Sequence, residues 1–113
     1  MDLENIQLRK DSLMAYFSRI IREFDEAGNC IVFNSGAMLS ISKKCADKNY
    51  RIKPGQYIVS RQTGEMFLFL GVARLNTELP DLLPWVLREG KFKPTMIYDS
   101  YLTEQFDEKY SII

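Results

Sequence analysis

Histidine is absent from this 113-residue chain. That absence removes Ser-His-Asp and Cys-His nucleophilic catalysis, imidazole general-base chemistry and every His-containing zinc site from what the chain does by itself. Cysteine is scarce. Cys30 and Cys45 are too few for a four-cysteine metal site and too far apart for a Cys-x-x-Cys motif. In a reducing compartment both are expected to stay free thiols. Long apolar runs are missing as well: none approaches the roughly 20 residues that span a bilayer. The opening MDLENIQLRKDS is polar, unlike a secretory leader. The expectation is a soluble, cytoplasmic protein with no membrane association. Nor is there an excess of either charge, with 15 basic and 15 acidic side chains giving a net charge of zero, whereas dedicated DNA-binding domains usually show a basic surplus. No phosphate-cradling glycine loop occurs either, NSGAMLS having a single glycine. No cofactor and no metal are implied.

What the chain does have is apolar patterning, with 46% hydrophobic residues in a length suited to one domain, 1–113. Leu13, Phe17, Ile20, Phe24 and Ala27 recur at three- and four-residue steps, which predicts an amphipathic helix over 4–27 closed by Gly28. A β-rich body is expected over 30–98. Cys30–Phe33 and Met38–Ser42 read as a hairpin around Asn34-Ser35-Gly36. YRI and YIVS flank KPGQ, where Pro54-Gly55 fits the centre of a type II turn, and Gly64 suits a left-handed residue after RQT. WVLR (Trp85–Arg88) and TMIY (Thr95–Tyr98) read as further strands. Leu102, Phe106 and Tyr110 then line one side of an expected C-terminal helix over 100–110, capped by Asp99 or Ser100.

Glu65–Ala73 is the unusual strand. Strict alternation places Met66, Leu68, Leu70 and Val72 on one face and Phe67, Phe69, Gly71 and Ala73 on the other, and both faces are apolar. A strand of that kind is buried on both sides, and the N-terminal helix is the natural cover for one of them. Gly71 sits where a bulge or bend is expected. The fold class is therefore α+β: a small, strongly bent antiparallel sheet or SH3-like barrel, with the N-terminal helix packed on it and a short C-terminal helix. The order of strand, KPGQ turn, strand, TG turn, long strand and WVL over about Tyr50 to Tyr98 is similar to SH3-like barrels; the resemblance carries no functional residue.

Chemistry is expected to be non-enzymatic. Glu65, Glu78, Asp81 and Glu89 are the open carboxylate candidates, with no spacing that pairs them, and Cys45 in its lysine-rich loop is the better-activated thiol. Two surfaces stand out for partners. Leu79, Leu82, Leu83 and Trp85 lie among prolines in what reads as a loop, which makes either a protein-docking anchor or a plug over the core. Lys43, Lys44, Lys48, Arg51, Lys53 and Arg61 stand against one acid, Asp47, with Tyr50 and Tyr57 interleaved. Such a segment suits an acidic protein or, as the alternative, nucleic acid. The leading expectation is a protein-interaction module of the adaptor, inhibitor or immunity type. Tyr98, Tyr101 and Tyr110 serve either packing or contact.

Overall fold

A computed structural model describes residues 3–25, 30–41, 50–75, 83–91 and 94–113. The chain begins with α1 (Leu3–Ile20) and passes without a loop into β1 (Ile21–Asp25). There follow β2 (Cys30–Phe33), β3 (Met38–Ile41), β4 (Tyr57–Ser60), β5 (Met66–Leu75), β6 (Leu83–Arg88) and β7 (Thr95–Met96). Two four-residue helices, α2 (Asp99–Leu102) and α3 (Phe106–Lys109), lead into β8 (Tyr110–Ile112).

The expected helix over 4–27 is thus too long by its last turns. Its helical spacing continues through Ile21 and Phe24, yet these residues pair with Phe33 and Ile31 of β2. Two β-branched residues in succession, Ile20 and Ile21, favour extended backbone. The helix end is then satisfied from elsewhere in the chain: Asn34 donates its backbone N–H to the Ile20 carbonyl at 2.8 Å and its side-chain amide to that of Arg19. Terminal carbonyls of a helix need such donors, and this one comes from the β2–β3 turn. Ala27 and Gly28, expected as the last turn and cap, lie outside the described residues.

All strand pairings among the described residues are antiparallel. A three-stranded arm, β1-β2-β3, joins a five-stranded arm, β8-β4-β5-β6-β7, where β3 pairs with the end of β5. β5 is the spine. One of its edges pairs with β6 along most of its length, while the other pairs first with β4 and then with β3. Among the described residues the sheet does not close, since β1, β7 and β8 are path ends that do not pair with one another, and the expected SH3-like barrel is not seen there.

A bulge between Phe69 and Gly71, with Gly71 at φ 122°, explains the change of partner along β5. The extra residue bends the strand and resets its alternation. Met66, Leu68, Leu70 and Ala73 join one core cluster with Leu13 of α1. Phe67, Phe69 and Val72 join a second with Leu102, Phe106 and Tyr110. Val72 and Ala73 have therefore exchanged faces relative to simple parity. Both faces are buried as expected, Phe67 at 8% exposure and Phe69 at 2%, each such side chain contributing roughly 1.5–3 kcal/mol.

The turns follow their residues. Gln56 N–H bonds the Lys53 carbonyl at 3.0 Å with Gly55 at φ 90°, as a type II turn requires. Tyr50 and Ile52 are buried, but YRI forms no ladder; the Tyr50 ring stands edge-on to Phe69 at 6.2 Å. The C-terminal helix over 100–110 is interrupted, since Thr103 leaves helical geometry at ψ −84° and Tyr110 already pairs with Ser60. Leu102, Phe106 and Tyr110 are nevertheless all buried together. Neither expected cap operates: the residue before α2 is Tyr98, and Asp99 instead accepts the Tyr50 hydroxyl.

Candidate functional site

Of the residues singled out from sequence, Leu79, Leu82, Lys43, Lys44, Lys48, Cys45, Glu78 and Asp81 lie outside the described residues. The expected strand Trp85–Arg88 forms as β6 and begins two residues earlier, so Leu83 lies in the strand and not in the loop. Trp85 is 7% exposed and donates its indole N–H to the Ala73 carbonyl at 3.0 Å. It packs in the cluster beneath α1, so it is a core residue and offers no docking surface. Leu83 packs partly against the same cluster.

The basic segment is drawn toward the C-terminal elements. Arg51 pairs with Asp107, and Arg61 Nε donates to the Tyr110 carbonyl at 3.2 Å. Lys53 is exposed, its backbone N–H bonded to Gln56 Oε1 at 2.8 Å. The two interleaved tyrosines are packing residues: Tyr50 is buried, and Tyr57 is half-buried beneath Lys10, whose ammonium lies 5.3 Å from the ring centroid.

The structure instead gathers aromatic and charged groups on the second face of the five-stranded arm, around a cleft of about 260 Å³. Buried Phe67 and Val86 line its interior, and Tyr98, Tyr101 and Tyr110 contribute from the C-terminal elements. The tyrosines form a row, Tyr98 to Tyr101 at 5.3 Å and Tyr101 to Tyr110 at 6.5 Å, with interplanar angles of 74° and 63°. Tyr98 is 64% exposed, whereas Tyr110 is buried. Burial, with nearby Tyr101 adding to it, pushes the Tyr110 hydroxyl up to about 12. It stays protonated near neutrality, a hydrogen-bond donor rather than a base. At the β5–β6 end of the cleft Arg88 grips Glu65 through two bonds of 3.0 and 2.7 Å.

A second cleft, of about 280 Å³, lies between Met14 and Phe17 of α1 and the Pro54-Gly55 turn, over Leu68–Leu70. It is almost wholly apolar. Nearby on the same helix, Arg9 clasps α1 to the sheet. Arg9 Nε donates to Glu89 Oε2 at 3.0 Å and Arg9 Nη2 to the Gly64 carbonyl at 2.6 Å, while Glu89 Oε1 accepts the Met66 N–H at 2.6 Å. Hydrogen bonding from Arg9, helped by that from Met66, holds the Glu89 carboxyl below the usual carboxylate range against the opposing effect of burial.

Both described carboxylate candidates, Glu65 and Glu89, are therefore held by arginines. No group of three or more His, Cys, Asp or Glu residues that could hold a metal occurs among the described residues, and Cys30 is a half-buried free thiol. Among the described residues no helix is long and apolar enough to cross a membrane. The arrangement is suited to recognition, through an aromatic wall beside a fixed ion pair. Sequence reasoning found the three tyrosines but not Arg88 or Glu65 as their neighbours, because that adjacency depends on the β5–β6 register.

Comparison with known protein families, with characterised proteins and with solved structures finds no match to this chain.

Proposed function

We propose that the chain is a non-catalytic protein-interaction module, of the adaptor, inhibitor or immunity type, acting in the cytoplasm. The observation that carries this reading is the exposure of Tyr98, 64%, at a cleft whose Phe67, Val86 and Tyr110 are buried and fixed. An exposed aromatic on a rigid aromatic base, beside an arginine, has the composition of interface hot spots. Leu79 and Leu82, and the basic residues Lys43, Lys44 and Lys48, remain proposed further contacts on sequence grounds. Trp85, buried in the core, is not among them.

Nucleic-acid binding through the basic segment has less support. Arg51 is paired with Asp107 within the chain, and Tyr50 presents no free ring face. A photo-cross-linking residue placed at Tyr98, with Gln7 on the exposed side of α1 as control, tests the proposal in the native cell. A discrete protein adduct from position 98 alone is expected. Adducts to nucleic acid, or equal labelling from both positions, overturn it. A salt titration with single- and double-stranded DNA decides the rival: steeply salt-dependent binding, lost on Lys43→Glu with Lys44→Glu, would establish it.

A further inference from the structure

We infer that the tyrosine cleft receives an acidic, extended peptide segment of the partner, with one apolar side chain seated over Phe67 and Val86. This rests on the interaction reading and names the chemistry of what docks. The charge argument comes from which cations are already neutralised. Within the cleft Arg88 is matched by Glu65. Beside it, Lys109 lies over the Tyr101 ring at 4.9 Å, and among the described residues Arg61 bonds a neutral acceptor, the Tyr110 carbonyl. Neither Lys109 nor Arg61 has a carboxylate partner among the described residues. Of the acids nearest in sequence, Asp107 is held by Arg51 and Asp99 by the Tyr50 hydroxyl, while Glu104 is exposed between α2 and α3 and forms no ion pair with either cation. Glu108 adjoins Lys109 on α3, where consecutive side chains point apart. Two cations thus border the Tyr101–Tyr110 side of an otherwise balanced cleft, and an incoming carboxylate is their natural complement.

The volume and ring geometry select a peptide over a nucleobase. About 260 Å³ with a Phe67 and Val86 lining takes one apolar side chain. Stacked bases need open ring faces. Here the tyrosines stand edge-to-face, and Lys109 already covers a face of Tyr101.

A displayed library of random twelve-residue peptides, selected against the intact protein, tests the inference. Recovered peptides are expected to carry Asp or Glu flanking an apolar or aromatic residue, and to shift amide resonances over 95–101 and 109–111. Tyr98→Ala and Lys109→Glu should each weaken binding at least tenfold while leaving the denaturation midpoint unchanged. Replacing the peptide's acids with lysine should restore affinity to the Lys109→Glu protein. Recovered peptides without acids, binding indifferent to Lys109→Glu, displacement by an oligothymidylate, or a selection that yields no binder each overturn the inference. Peptides that shift resonances elsewhere overturn the cleft while leaving the interaction module standing, which the cross-link at Tyr98 decides separately.

Discussion

The two faces of β5 are both buried, yet they are built differently. Beneath α1 the cluster is largely aliphatic, with Leu13, Leu39, Leu68, Leu70 and Leu87 packed around Trp85, and the helix is pinned by the Arg9–Glu89 clasp. On the opposite face the cover is two short helices and a strand, and the packing is aromatic: Phe67 meets Tyr110 edge-on at 5.8 Å, and Phe106 lies 6.0 Å from Tyr110. Each face keeps a cleft at its edge, an apolar one beside α1 and a tyrosine-lined one opposite. Aromatic pairs prefer edge-to-face packing, and the tyrosine row on the second face borders its cleft. Both faces of one small sheet thus carry core, and the aromatic one also presents a tyrosine-lined cleft.

That contrast can be broken by measurement. The largest effect is expected for Phe69→Ala, which empties the middle of the aromatic face and should cost about 3–5 kcal/mol, close to the ~2–5 kcal/mol for Leu13→Ala opposite. Urea midpoints decide it, and a loss under ~1 kcal/mol for Phe69 alone would mean that the second face is no core. Gly71→Ala should cost about 1–3 kcal/mol, because φ 122° is strained for any residue with a Cβ. Neutrality there would argue that the bulge does not set the two faces.

Glu89→Gln should cost about 1–2 kcal/mol at neutral pH through the weakened clasp. Since Glu89 titrates below its unfolded value, its contribution is fully present above the ordinary carboxylate pKa of about 4.3 and is lost as pH falls through the lower folded value. The gap between wild type and variant should therefore close on acidification, and a gap that widens refutes the clasp. The smallest effect belongs to Tyr98→Ala, expected within about 0.5 kcal/mol of wild type as an exposed substitution. A large loss would make Tyr98 a structural residue and remove it from the docking surface.

Much of the architecture was legible because burial follows composition. Phe67 and Phe69 announce a two-sided strand, and Leu102, Phe106 and Tyr110 announce one buried side even though their helix is broken. Turn chemistry was legible for the same local reason, at Gly55 with φ 90° and Gly64 with φ 75°. What stayed hidden depends on distant partners. Helical spacing through Ile21 and Phe24 gives no warning that β2 captures that segment, or that Asn34 ends the helix. Parity along β5 cannot foretell that Val72 and Ala73 trade faces at a bulge. At the start of its expected strand Trp85 suits an anchor or a plug equally, and only the β5–β6 pairing, which turns its indole toward Ala73, decides for the core. The tyrosines were visible as residues, but their charged neighbours were not.

The direct join of Ile20 to Ile21 has a mechanical consequence. With no spacer at that junction and Asn34 tying it to the β2–β3 turn, the cover cannot swing aside as a hinged flap. Any excursion of α1 must tug on β1 and its neighbour, so amides of the helix's last turn and of the β1–β2 pair should exchange with solvent as one cooperative block.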